Sequence, residues 1–314
     1  MPADILPSDE DAIDRAVALL RDGAVVGLPT ETVYGLGGDA TNDQAVARIF
    51  EAKRRPEFNP LIAHVPALET ARKIAEFQAD AERLAEAFWP GPLTLVLPSA
   101  DGSPISELAR AGLDTIAVRA PAHPVVRAVL EALDRPIAAP SANKSGEVSP
   151  TTARHVLDSL GADIPLILDG GPSEIGIEST IVALTGGHPR LLREGACTQG
   201  EIEAVIGAVD RAAANGDVVA PGMMSRHYAP RKPLQLGVEV RSAGAVLLGF
   251  GPHAPADCLN LSPAADLVEA AANLYRMVRE LDSGPGGTIQ VMPIPLDGLG
   301  AAINDRLERA AAPE

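Results

Sequence analysis

The chain has 314 residues, 46% of them hydrophobic and 22% charged, with a formal net charge of −16. That length suggests two domains of ordinary size, and the balance suggests a soluble globular protein with a core packed mainly by aliphatic side chains, since aromatics are only 3%. So acidic a surface repels polyanions and argues against tight, non-specific RNA binding, while leaving room for a small cationic pocket. The two cysteines, Cys197 and Cys258, belong to no CxxC pair, so neither a disulfide framework nor a cysteine-rich zinc site is expected. The N-terminus is acidic and unlike a signal peptide, and no apolar run is long enough to span a bilayer; a cytoplasmic location is expected.

Along the chain, Ile13, Ala16, Val17 and Leu20 recur at the spacing of a helix with one buried face, over 9–22. Gly23 ends it, and 24–29 reads as a short buried strand. A helix follows at 43–53, a strand at 61–65 and two helical stretches over 67–88. Strands are expected at 93–97, 115–119, 136–139, 166–168, 179–183 and 190–193, with helices near 123–133, 152–160 and 199–206. The irregular alternation points to an α/β domain built on a mixed twisted sheet over 1–207. Residues 208–233, rich in Gly, Pro and small side chains, read as a linker. A small α/β unit, 234–314, closes the chain with strands at 243–250 and 288–294 and helices at 266–281 and 299–311.

No GxxxxGK[ST] loop is present. Gly35-Leu36-Gly37-Gly38-Asp39-Ala40 fits a loose GxGxxA pattern, but it does not come directly off a strand, and a lone match does not make a cofactor site. Polar chemistry instead crowds at predicted strand ends. Thr30-Glu31-Thr32 follows a buried strand, where it could equally cap the next helix. Lys53, Arg54 and Arg55 sit at a helix end before Pro56, either complementing the helix dipole or clamping a polyphosphate. Ser141, Asn143, Ser145 and Gly146 follow another strand and could present donors to phosphate oxygens or simply form a turn. Recurrence at strand ends favours one shared pocket for an anionic ligand.

Seven ordered motifs carry a resemblance: Thr30 to Leu36, Lys53-Arg54-Arg55-Pro56 with Asn59-Pro60-Leu61, Pro90 to Thr94, Val118-Arg119 with Pro121, Pro140 to Gly146, Glu178 to Ile181, and Arg193 to Ala196. With residues 225–230 and the tail 298–307, they resemble the YrdC-type family in its long, two-domain threonylcarbamoyl-AMP synthase form, over nearly the whole chain. Ala220, Ser225 and Glu194 depart from that pattern. The resemblance implies a YrdC-like twisted mixed sheet with a deep, positively lined cavity and a small Rossmann-like C-terminal domain. It implies synthesis of L-threonylcarbamoyl-AMP from L-threonine, bicarbonate and ATP, with release of pyrophosphate, the product serving tRNA threonylcarbamoyl-transfer machinery.

On matching positions, Lys53, Arg55, Ser141 and Asn143 resemble the family's catalytic tetrad. Asn59, Thr115, Ala139, Ser149 and Arg193, with Arg55 and Ser141, would bind ATP. Thr32, His64, Arg119 and Ser179 would hold threonine, with Arg119 facing an anionic group of the substrate. Arg226, His227 and Tyr228 would fold over the cavity as a lid. The metal implied is Mg²⁺ carried by ATP rather than held by protein ligands. Two other readings stand beside this one: an RNA-binding or translation-associated module using the Lys53–Arg55 patch, and a carbamoyl-adenylate enzyme of the hydrogenase-maturation kind.

Overall fold

A computed structural model describes residues 3–212, 220–222 and 226–313. In chain order these form β1 (Asp4–Pro7), α1 (Glu10–Arg21), β2 (Val26–Leu28), β3 (Gly35–Asp39), α2 (Asp43–Lys53), β4 (Ile62–His64), α3 (Leu68–Ala71), α4 (Ala79–Phe88) and β5 (Leu93–Pro98). There follow β6 (Thr115–Arg119), α5 (Pro124–Leu133), β7 (Ile137–Ala138), α6 (Ala153–Leu160), β8 (Leu166–Asp169), β9 (Thr180–Ala183), β10 (Arg190–Arg193), α7 (Gln199–Ile206) and β11 (Asp210–Arg211). The last stretch holds β12 (Leu234–Gln235), β13 (Val246–Gly249), β14 (Leu259–Asn260), α8 (Leu267–Ser283), β15 (Ile289–Val291) and α9 (Leu299–Ala311).

Local chemistry sets the element ends. Asp9 caps α1 by accepting from the Ala12 N–H, and Asn42 caps α2 through Gln44 and Ala45. α2 ends because Arg54 turns left-handed, with φ 51°. That turn leaves Arg54 exposed while Lys53 and Arg55 on either side are buried. The left-handed backbone costs a side-chain-bearing residue about 1 kcal/mol. Arg54→Gly is therefore expected to keep or raise the melting temperature, measurable by calorimetry.

The first sheet has eleven strands in the order β1-β8-β2-β3-β7-β4-β6-β5-β9-β10-β11. It mixes parallel pairs (β1/β8, β4/β6, β5/β9) with antiparallel ones (β2/β3, β5/β6, β9/β10), as the irregular alternation led one to expect. The second sheet has four parallel strands, β12-β15-β13-β14, covered by α8 and α9. Short strands β1, β11, β12 and β14 were not expected. The Gly-rich run 35–39 is the antiparallel strand β3, not a phosphate loop. A Cβ on Gly37 would lie 2.6 Å from Leu28 Cδ1, so the glycines let neighbouring layers close on this strand. Of the linker read over 208–233, residues 213–219 and 223–225 lie outside those described, as does Ser225 of the 225–230 motif.

The two units share a core. Val33, Val148, Ile177 and Tyr228 bury themselves among Leu274, Tyr275, Val278, Ile303 and Leu307 of the C-terminal helices. Gly176, at φ +79°, lets its loop press on α8 so closely that a Cβ would fall 2.5 Å from Ala271 O. Gly176→Ala is expected to destabilise the chain by about 1–3 kcal/mol, since backbone must shift to admit the methyl and the backbone conformation disfavours it. Chemical denaturation checks this; an unchanged midpoint would show that the units are not packed as described.

Candidate active site

Strand register builds the site. His64 pairs with Arg119 across β4 and β6, Leu95 with Val118 across β5 and β6, Thr94 with Ile181 across β5 and β9, and Ile181 with Arg193 across β9 and β10. A row of polar side chains, His64, Arg119, Thr94, Ser179 and Arg193, therefore crosses five neighbouring strands at one end of the sheet. Loops from β2 and β7 add Thr30, Thr32, Ala139 and Ser141. Arg55 comes from beyond α2, and His227 and Tyr228 come from the linker. All of these except Thr94, which sits behind and bonds Ser179, line one pocket.

One wall is rich in arginine. Arg55 Nε donates to Asn59 O at 3.1 Å and Nη2 to Pro60 O at 2.9 Å. Arg193 donates from Nε to Ser179 O at 3.0 Å, from Nη2 to Ser179 Oγ at 3.1 Å and from Nη1 to Pro221 O at 3.3 Å. Neither forms an ion pair among the described residues, and both are more than nine-tenths buried. Burial, with the charge of Arg193, brings the Arg55 pKa down to about 9, so it remains a cation at neutral pH. Two buried guanidiniums that meet only carbonyl and hydroxyl oxygens call for an anion.

The opposite wall is nearly neutral. Arg119 donates from Nη2 to Glu31 Oε1 at 2.5 Å, from Nη1 to Thr32 Oγ1 at 3.0 Å and from Nε to Gly91 O at 3.1 Å. Its charge thus has an internal counterion, and a substrate carboxylate would meet only its remaining N–H groups. Thr32 Oγ1 also bonds Thr30 Oγ1 at 2.8 Å, and Ser179 Oγ bonds Thr94 Oγ1 at 2.7 Å. Burial lowers the His64 pKa to about 3, with Arg119 acting in the same sense, so the ring is neutral. His64 Nδ1 lies 3.2 Å from Ile62 O.

Several sequence-expected residues stand behind the wall. Lys53, buried, donates from Nζ to Ser141 O at 2.5 Å and to Asn143 O, fixing the loop that presents Ser141. Asn143 Nδ2 is spent on Lys144 O and Glu147 O of its own loop. Asn59 supplies the carbonyl under Arg55. Ser149 Oγ donates to Glu178 Oε1 at 2.5 Å. Arg226 reaches Ala312 O at 2.5 Å, away from the cavity, while His227 and Tyr228 line it. Thr115 is the outlier. It starts β6 opposite Pro98, four residues and roughly 13 Å from Arg119, and does not reach the cavity in this arrangement.

Sequence reasoning passed over Glu178, Tyr275 and Arg306 as functional residues and gave Glu31 no role within its cluster, although all but Tyr275 lie inside quoted motifs. Among the described residues Glu178 is the one carboxylate lining the cavity, and it accepts from Ser149, Tyr275 and Arg306. Burial opposes its charge, but Arg306 and Arg193 outweigh that and hold its pKa at about 2. Reading the Lys53–Arg55 run as an RNA-binding patch fails on burial. Lys53 is 1% and Arg55 8% exposed, so neither can track a nucleic-acid backbone at the surface.

Sheet order and a pocket that sets buried arginines beside neutral hydroxyl and imidazole groups define an α/β protein suited to a small anionic ligand beside a polar one. Comparison with known proteins carries this further. The Sua5/YciO/YrdC family, described as telomere recombination, matches residues 18–195, and the family of threonylcarbamoyl-AMP synthase C-terminal domains matches 197–312. The chain belongs to this family, in its long two-domain form. It is 41% identical to the threonylcarbamoyl-AMP synthase of Pyrococcus abyssi, covering 96% of this chain and 95% of that one. It is 39% identical to the Bacillus subtilis enzyme of that description, covering 98% and 95%. The solved structure of P. abyssi Sua5 complexed with L-threonine superposes with a TM-score of 0.91 at 39% identity, covering 98% of each chain.

Proposed function

We propose that this chain makes L-threonylcarbamoyl-AMP from L-threonine, bicarbonate-derived CO₂ and ATP. The observation that carries the reading is the pair of buried guanidiniums, Arg55 and Arg193, without an ion pair among the described residues, lining one pocket with the neutral Thr32, His64 and Ser179 side chains. The triphosphate belongs against the arginines and Ser141, with Lys53 and Asn143 holding that loop in shape. Threonine belongs against Thr32, His64, Ser179 and the remaining N–H groups of Arg119.

The chemistry needs no protein nucleophile. The threonine amine adds to CO₂ and loses a proton, giving a carbamate. A carbamate oxygen then attacks the α-phosphorus, the bond to the β-phosphate oxygen breaks, and pyrophosphate leaves. Positioning and charge stabilisation in a dry site are the protein's levers, because a carbamate exposed to water reverts. Mg²⁺ enters with ATP. Glu178, the carboxylate that lines the cavity among the described residues, has its oxygens engaged by Ser149, Tyr275 and Arg306, which suits a metal ligated by phosphate and water rather than caged by protein. Residues 1–207 carry the chemistry, 208–233 include the lid, and 234–314 form the C-terminal unit. No helix among the described residues is long and apolar enough to cross a membrane. The product is destined for transfer to tRNA in the cytoplasm.

Purified chain with Mg·ATP and bicarbonate is expected to release pyrophosphate only when L-threonine is added, with threonylcarbamoyl-AMP detected by mass spectrometry. Release indifferent to threonine, from folded protein, would overturn the reading.

A further inference from the structure

No described residue of the C-terminal unit lines the cavity, yet one of its side chains touches three elements of the wall. Arg306, on α9, is 1% exposed. Its Nε donates to Glu178 Oε2 at 2.9 Å, and its Nη2 to Glu194 O at 2.8 Å, one residue beyond Arg193. Its Cζ lies 5.3 Å from the centroid of the Tyr228 ring. Nη1 is held at 2.6 Å by Asp305. Tyr275, on α8, donates to the same Glu178 oxygen at 2.9 Å and stacks on Tyr228 with centroids 5.8 Å apart.

The lid backbone is tied to the same helix. His227 N–H donates to Arg309 O at 3.2 Å and Arg226 Nη1 to Ala312 O at 2.5 Å. Carbonyls at a helix C-terminus lack intrahelical partners and favour a cation, so the closed lid caps α9. On the other side, Ala229 N–H donates to Gly146 O of the Ser141-bearing loop. The two lid rings present buried polar atoms without a partner among the described residues, His227 Nδ1 and Tyr228 Oη. Such atoms are costly unless a ligand or water meets them, so the ring positions matter to what the cavity holds.

We propose that Arg306 is a positioning residue for adenylate formation, locking the Tyr228 ring over the cavity so that the lid keeps water from the product. The proposal rests on the threonylcarbamoyl-AMP reading. A planar guanidinium is the group required, since only it gives a fork to Glu178 and Glu194 and a flat face to the ring. With that lock broken, water reaches the adenylate. Its mixed anhydride then hydrolyses to AMP and a carbamate, which decomposes to threonine and CO₂.

The test compares full-length wild type, R306M and R306M/E178Q, the last removing the carboxylate that R306M strands. Threonylcarbamoyl-AMP and AMP are quantified at matched times with Mg·ATP, bicarbonate and threonine. R306M is expected to form adenylate at least tenfold more slowly and to raise the share of AMP severalfold. Threonine affinity by calorimetry stays within about twofold, because Thr32, His64 and Arg119 lie on the far wall. Wild-type rate and AMP share in R306M would overturn the proposal, as would a slower rate with unchanged AMP share, which marks a purely structural role. If R306M and the double variant do not fold, R306K carries the test: it keeps a cation beside Glu178 but no planar face, and the same raised AMP share is expected. Wild type without threonine-dependent pyrophosphate release would instead sink the underlying reaction, and this proposal with it.

Discussion

Arg55→Ala is expected to lower kcat/KM for ATP by about 10²–10³, the size of loss that follows removal of one preorganised donor to developing charge. The side chain is held by two carbonyls, Asn59 O and Pro60 O, so its guanidinium is aimed before any ligand arrives. A second consequence separates this role from a structural one. Without ligand, Arg55 is a buried cation with no ion pair among the described residues. Its removal should therefore leave the melting temperature of the ligand-free chain unchanged or raise it. Mg·ATP at 100 times its Kd stabilises a native state by about 2.7 kcal/mol. That stabilisation should be present in wild type and nearly absent in Arg55→Ala. If Arg55→Ala instead melts much lower and still gains full stabilisation from Mg·ATP, the guanidinium is a structural brace and the triphosphate lies elsewhere.

What could be read from the residues, and what could not, divides along sequence separation. α1, α2, α5 and β5 were legible because their signals are local: caps such as Asp9 and Asn42, helical spacing, and a continuous apolar strand. β1 was not, since Asp4–Pro7 is a short edge strand whose partner, β8, lies more than 150 residues on. β3 was missed as a strand, its run matching only a loose GxGxxA pattern, because the reason for its glycines, close approach to Leu28 and Ile49, exists only in the packed sheet. The site followed the same rule. Residues in clusters drew notice, Glu31 among them but without a role of its own, whereas Glu178 looked like an ordinary carboxylate. Their partners, Arg119 and Arg306, stand 88 and 128 residues away. Thr115 was placed at the site by resemblance alone, and strand geometry sets it at the other end of β6.

Glu31→Ala is the second large effect, and here stability takes the loss. Glu31 and Arg119 form a buried pair at 2.5 Å, with side-chain exposures of 7% and 4%. Taking away one member leaves an uncompensated cation in the sheet interior, which costs about 3–5 kcal/mol. Glu31→Gln, which keeps an oxygen for Arg119 but no charge, should cost less. The pH dependence fixes the origin of the effect. Burial by itself would raise the Glu31 pKa, but the charge and hydrogen bonds of Arg119 win and hold it below its ordinary value of 4.5. Glu178 is held lower still, at about 2. A carboxyl whose pKa is lower folded than unfolded binds fewer protons in the native state. Its stabilisation is therefore complete above pH 4.5 and drains away as the pH falls through the folded value. Wild type should lose stability from about pH 4.5 downward, while Glu31→Gln, lacking one of the two titrating groups, falls less steeply. The gap between the two proteins is then widest at neutral pH and narrows in acid. Denaturation midpoints from pH 7 to pH 3 measure it, and a gap that stays constant would show that the Glu31 charge contributes nothing and that packing alone sets the loss.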